Sequence, residues 1–186
     1  KGIGIPEKKL RLREHEENEL AHYASKTVDI EFDYPWGWGE LEGIANRSSF
    51  DLSSHESASG KDLSYFDSET NEKIAPVVIE PAGGLTRTLF ALLCSTYDEE
   101  VINDTTRTLF RFNFEIAPVQ IGILPLSKKE ELIKVSKDIQ QNLQKFYRTE
   151  VDVTQSIGKR YRRQDEIGTP YCVTIDFDSL EDLSVT

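Results

Sequence analysis

The sequence predicts an α+β protein in two parts: an antiparallel sheet with helices over residues 1–115, then a smaller α/β layer over residues 116–186. Three observations carry this. Residues 27–34 and 38–45 alternate apolar and polar side chains, the period of half-buried antiparallel strands. Residues 117–177 instead alternate short apolar runs with helical patterns, as in a parallel layer. The charge is also divided: residues 1–115 carry 12 basic and 22 acidic residues, residues 116–186 carry 10 and 11. All ten of the latter basic residues lie between Lys128 and Arg163, among only five acids.

Element by element, residues 8–25 (KKLRLREHEENELAHYAS) are rich in helix formers and free of Gly and Pro, which predicts a surface helix. TVDIEFDY (27–34) is a strand broken by Pro35 and Gly37, and WGELEGIA (38–45) is a second, with Leu41 facing away from Glu40 and Glu42. Asn46 or Ser48 can cap a short helix reaching residue 58. SYFDSETNEK (64–73) reads as a β-arm with a polar turn at its tip. VVIEP (77–81) reads as a short buried strand, and Gly83-Gly84 opens a helix, LTRTLFALLCSTYDE, apolar on much of its circumference and so expected to be deeply packed. APVQIGILPL (117–126) is an apolar strand. Residues 127–147 form an amphipathic helix with Leu132, Val135, Ile139 and Leu143 on one stripe. TEVDV (149–153) is a strand, residues 158–168 a short basic helix closed by Gly168, and YCVTIDF (171–177) a strand. The boundary is expected near Glu115–Pro118.

The composition is that of a globular chain, 38% hydrophobic and 30% charged. No methionine occurs among the 186 residues and residue 1 is Lys, so an internal fragment of a longer chain is expected. No apolar run approaches a membrane span, and the N-terminus lacks the apolar core of a signal peptide. Cys94 and Cys172 sit in apolar stretches without a CxxC pair, the pattern of a reduced, cytoplasmic protein. The net charge of −11 argues against a nonspecific nucleic-acid coat. His15, His22 and His55 have no metal-ligand spacing, because HEENE lacks the second His of a zinc protease motif. No nucleophile motif suggests covalent catalysis.

Three constellations could carry chemistry. Glu40 and Glu80 each stand in a strand of apolar and small residues, where a carboxylate is costly unless it meets a positive group such as a ligand ammonium; the plainer alternatives are a solvated face for Glu40 and a structural ion pair for Glu80. Ile79-Glu80-Pro81-Ala82-Gly83-Gly84-Leu85-Thr86-Arg87 is a strand, a glycine turn and an Arg in the first turn of a helix, suited to phosphate oxygens; alone it is an ordinary turn with an exposed Arg. Lys159-Arg160-Tyr161-Arg162-Arg163 sets four cations around an aromatic, which could grip an RNA backbone and stack a base, or form a solvated helix face neutralised by Asp165 and Glu166.

Taken in order, LRLREHEENELAHYA, GWGELEGIANRSSFDL, VIEPAGGLTR, IAPVQIGILPL and IGKRYRRQDEIGTPYCVTIDFD resemble glycyl-tRNA synthetases of the homodimeric class II type along essentially the whole chain. The resemblance implies a partial class II catalytic sheet in residues 1–115 and an anticodon-binding domain, truncated at its C-terminus, in residues 116–186. It implies ATP and Mg²⁺ as cofactors and glycine and tRNA(Gly) as partners, in a cytoplasmic homodimer with no membrane contact. IEPAGGLTR resembles motif 3, which implies that Arg87 contacts the ATP γ-phosphate beside Gly84, Leu85 and Thr86. Glu40 and Leu41 resemble the ATP-side element, and Glu40 and Glu80 the acids that read the glycine ammonium, next to Pro81, Ala82, Gly83 and Gly84. The resemblance assigns Lys159, Arg160, Tyr161, Arg162 and Arg163 to tRNA. Ala82 stands where the family usually has Ser, and Asn46 where it often has Asp. Motifs 1 and 2 would precede Lys1, so the isolated 186-residue piece is expected to be inactive. A catalysis-free relative kept as a nucleic-acid-binding or accessory subunit is the competing reading, and an acidic α/β interaction domain a third.

Overall fold

The computed structural model describes residues 2–182 and 184–186. Two compact units make up the chain: Ile5–Cys94, and Ser95–Thr186 together with the N-terminal residues through Gly4. Among the described residues no helix is long and apolar enough to cross a membrane.

The first unit contains β1 (Leu10–Glu14), β2 (Lys26–Tyr34), β3 (Gly37–Ser48), α1 (Phe50–Ser59), β4 (Tyr65–Asp67), β5 (Glu72–Ile74), β6 (Val78–Gly83) and α2 (Leu85–Thr96), which runs past its end. β1, β2, β3 and β6 form an antiparallel sheet in that order, and β4–β5 is a separate hairpin arm. Pro35 and Trp36 are the whole loop between β2 and β3; Gly37 follows at φ 112°, which only glycine adopts freely. One sheet face is apolar: Phe32, Tyr34 and Leu41 are buried with Ala91 of α2 and Ile5. The other face is polar. Thr27, Ala45 and Glu80 are register partners across it, as are Asp29, Gly43 and Ala82. A register shift beside Ile30/Glu31 pairs Glu31 with Glu40 and leaves Leu41 as the extra residue, which turns Leu41 into the core and Glu40 out of it.

Three expectations are corrected here. Residues 8–25 are not a helix but two short 3₁₀ turns, Glu7–Lys9 and Glu17–Glu19, around β1. Pairing of Leu10–Glu14 with Val28–Phe32 overrides helix propensity, and Arg11 Nε donates to Glu31 Oε2 across it at 2.5 Å. VVIEP is not a buried strand: Val77 and Ile79 are exposed, because β6 ends the order of the described sheet. Helix α2 stops at Thr96, not at residue 99, and packs on one side only, with Ala91 buried and Leu85 and Leu89 exposed.

The second unit opens with a hairpin that the sequence reading missed, β7 (Tyr97–Ile102) and β8 (Thr105–Phe110). Its turn residues Asn103 and Asp104 both have positive φ, the signature of a tight hairpin turn. Then follow β9 (Ile121–Pro125), α3 (Glu130–Leu143), β10 (Thr149–Val151), α4 (Ile157–Ile167), β11 (Tyr171–Ile175) and α5 (Asp178–Asp182). The sheet is parallel in the order β10-β9-β11, as the alternating pattern predicts. Ile123, Leu132 and Ile175 are its core, with Val135, Ile139 and Leu143 packed against them. Gly168 ends α4 in the left-handed region at φ 75°, and a Cβ there would stand 2.4 Å from the Phe112 ring.

Candidate active site

The polar face of the first sheet carries a cleft of about 240 Å³. Thr27, Gly43, Ala45 and Ala82 give it a floor of small side chains, and Glu19, Asp29, Glu40 and Glu80 ring it with carboxylates. Each carboxylate is held differently. His15 Nε2 lies 2.8 Å from Asp29 Oδ2. Arg13 Nη2 donates to Glu19 Oε1 at 2.5 Å; the Glu16 N–H and this guanidinium hold Glu19 below the usual carboxylate range. Arg47 Nη1 donates to Glu80 Oε2 at 2.7 Å, so the structural ion pair foreseen for Glu80 is present. Arg47 is itself fixed: its Nε and Nη2 donate to Asp51 at 2.5 and 2.8 Å, and its guanidinium stands 3.9 Å over the Tyr23 ring. Hydrogen bonding from Arg47 holds Asp51 below the usual carboxylate range. A Cβ at Gly43 would make ordinary contacts with two of these carboxylates, 3.5 Å from Asp29 Oδ1 and 3.7 Å from Glu40 Oε1. The carboxylate ring suits a small cation.

A second cavity of about 290 Å³ adjoins Glu40 and is lined by Tyr34, Trp36, Gly39, Glu40, Arg87 and Phe90. Arg87 Nη1 donates to the Glu40 carbonyl at 3.1 Å and lies 3.7 Å from its carboxylate. Glu40 thus borders both cavities. Of the other residues singled out in sequence, Leu41 is buried in the core, so only its backbone can meet a ligand. Leu85 and Thr86 are exposed at the start of α2, and Gly84 offers its carbonyl to the Thr88 N–H at 2.8 Å. Pro81 pairs with Ile44 on the apolar face and Gly83 with Glu42; neither lines the acidic cleft. The sequence reading missed His15, Asp29, Arg47, Trp36 and Phe90. Asp29 was within reach, because it shares the polar period of β2 with Glu31 and Asp33.

The basic helix α4 divides its cations. Arg160 is 2% exposed and donates to the carbonyls of Thr154, Val153 and Gln155 at 3.2, 3.1 and 2.8 Å, and to that of Pro125. This corrects its assignment to tRNA: the guanidinium faces inward. Arg163 donates to Asp152 Oδ2 at 2.5 Å, and the Tyr161 hydroxyl pairs with Thr174 Oγ1 at 2.7 Å. Lys159 is exposed, and Arg162 Nε donates to Glu166 at 3.1 Å. With Gln155, Gly158 and Arg163 they line an open groove of about 680 Å³.

Known proteins similar to this chain cover its whole length. Residues 120–186 match the family model described as an anticodon binding domain. The glycine–tRNA ligase of Ruminiclostridium cellulolyticum is 56% identical over 185 residues, 99% of this chain. Those of Lachnospira eligens and Staphylococcus haemolyticus are 53% and 50% identical over 187 and 190 aligned residues, 100% of this chain. The chain spans about 40% of the length of each of these curated relatives. The matched module puts residues 120–186 in the class of tRNA anticodon-binding domains. Identity of 50–56% along the whole chain supports it as a part of a glycyl-tRNA synthetase.

Proposed function

We propose that this chain supplies part of the catalytic site, and the anticodon-binding domain, of a ligase that activates glycine with ATP and transfers it to tRNA(Gly). The observation that carries this reading is the pair of cavities sharing Glu40: one small and acidic, the other bearing Arg87. Glycine offers only an ammonium and a carboxylate for recognition. Glu40 and Glu80, joined by Asp29, hold the ammonium over a floor of Gly43, Ala45 and Ala82. The glycine carboxylate oxygen then attacks the ATP α-phosphorus, the α–β phosphoanhydride bond breaks, and glycyl-adenylate forms with release of pyrophosphate. That step needs positioning and charge neutralisation more than a general base.

Arg87 takes the γ-phosphate, at a helix N-terminus where Gly84, Leu85 and Thr86 shape the wall and the Glu40–Leu41 backbone lies opposite. Mg²⁺ would enter on the ATP phosphates and neutralise their charge, since Glu40 already faces Arg87 and the described residues form no cluster of metal ligands. Lys159, Arg162 and Arg163, with Tyr161 behind them, form the tRNA side; Arg160 supports them from within. The functional division falls near residue 115, and the working protein is a cytoplasmic homodimer. The rest of the catalytic site belongs to the remaining length of the relatives.

In a full-length ligase carrying this segment, Arg87→Ala should slow glycine-dependent ATP–pyrophosphate exchange about 10²–10³-fold, as loss of one transition-state charge donor does, with the unfolding temperature unchanged. Near-normal exchange would show that Arg87 does not touch ATP.

A further inference from the structure

His15 belongs to the HEENE run that fits no metal motif, and the fold gives it another neighbour. It follows β1, and its N–H donates to the Thr27 carbonyl at 3.0 Å, so the strand alternation continues through it. Arg13 pairs with Asp29 in the register, and His15, two residues on, shares their polar face. There His15 Nε2 donates to Asp29 Oδ2 at 2.8 Å, because a carboxylate only accepts. Arg13 stays 4.0 Å from the same oxygen, with its Nη2 given to Glu19. Asp29 Oδ1 is left towards the cleft floor, 3.5 Å from where a Gly43 Cβ would stand. In this row of the cleft, Asp29, Gly43 and Ala82, only Asp29 has a polar side chain. The other imidazole nitrogen, His15 Nδ1, is buried with no hydrogen-bond partner among the described residues. That costs stability, so the imidazole serves the fold poorly and calls for a role in the one bond it does make.

We propose that His15 is a positioning residue for the amino-acid substrate: by holding Oδ2 of Asp29 it aims Oδ1 into the cleft, as an acceptor for the ligand ammonium. An ammonium has three N–H groups to place. Glu80 is shared with Arg47, Glu40 with Arg87 and Glu19 with Arg13, whereas no cation among the described residues pairs with Asp29 Oδ1. That oxygen is therefore the cleft acceptor least committed elsewhere, and its direction is set through the imidazole. The terminal torsion of an aspartate is soft. Without His15 the carboxylate can turn, and Arg13 can draw it out of the cleft. This rests on the proposed function for the identity of the ligand as glycine.

The test is ATP–pyrophosphate exchange by a full-length ligase carrying this segment, with glycine and ATP varied separately. His15→Ala should raise the glycine KM about tenfold, the weight of a hydrogen bond to a charged group, and leave kcat and the ATP KM nearly unchanged. His15→Gln, whose amide nitrogen can donate to Asp29 from much the same place, should restore most of the glycine KM. Asp29→Asn should itself raise the glycine KM, and adding His15→Ala to it should raise it no further, because the two act as one unit. An unchanged glycine KM in His15→Ala overturns the proposal, and so does an equal rise in the Asp29→Asn background, which would route His15 through some other group. A lowered unfolding temperature with both KM values raised, and no rescue by His15→Gln, overturns it in favour of a purely structural histidine. If the parent ligase shows no exchange with glycine, the proposed function falls and takes this inference with it. If the parent is active and His15 is silent, only the inference falls.

Discussion

A guanidinium surrounded by four backbone carbonyls is a tether, and Arg160 ties the end of β9 and the loop after β10 to the first turn of α4. Among its recorded partners is no carboxylate, so the charge is met by carbonyl dipoles alone. Arg160→Met keeps the aliphatic stem and strands those oxygens. Bonds to a charged group contribute about 1.5–3 kcal/mol, so the loss of stability should be on the order of 3 kcal/mol. Urea unfolding measures it; a loss below about 0.5 kcal/mol, the range of ordinary surface changes, would mean water replaces the guanidinium. From sequence, Lys159–Arg163 looked like one surface run. Burial at Arg160 and Gln164, four residues apart on one helix face, is not legible in the sequence because the inward stripe of α4 is polar, and helical periodicity is marked by apolar residues. Glu40, Glu80 and Arg87 were legible because each breaks its local pattern. Their neighbours Asp29 and Arg47 were not, since only strand register brings them together.

The elements differ in the same way. β2 and β3 were readable because alternation is written into their own residues. β1 was not, because its strand state is decided by β2, some fifteen residues away. The 97–110 hairpin was lost because TYDEE extends a helical run, although Asn103-Asp104 marks its turn. At this scale, the loop between β10 and α4 carries a pH dependence. Burial pushes the Asp152 carboxyl up, but hydrogen bonds from the Thr154 hydroxyl and N–H and from Arg163 outweigh it and hold the pKa below the ordinary value. A carboxyl with a depressed folded pKa contributes stability that is present above its unfolded pKa of about 3.9 and is lost as pH falls through the folded value. Unfolding free energy should therefore fall in acid below about pH 4, and Asp152→Asn should flatten that fall while costing about 1–3 kcal/mol at neutral pH. Identical acid slopes for the two proteins would assign the acid sensitivity to other carboxylates.

For the whole molecule, the net charge of −11 leaves little long-range pull on RNA, so attraction must come from local cations. Several of the basic residues between Lys128 and Arg163 are already committed. Arg148 donates to the carbonyls of Ala117 and Glu115 at 3.0 and 2.7 Å, Arg160 is buried, and Arg163 is held by Asp152. Lys159, and Arg162 with its exposed Glu166 partner, remain at the open groove of α4. An exposed i,i+4 pair is weak enough to give way to a phosphate. Two phosphate contacts correspond to a salt dependence of slope about −1.4 to −1.8 in log K against log salt. Reversing both charges, Lys159→Glu with Arg162→Glu, should remove most of that slope for an anticodon stem-loop. Stability should change little, since neither side chain is buried. In a full-length ligase carrying this segment, glycine activation should persist while aminoacylation of tRNA(Gly) falls. A variant that binds the stem-loop as before would move the RNA face elsewhere on the domain. One that loses glycine activation but keeps RNA binding would refute the division of labour between acidic and basic parts.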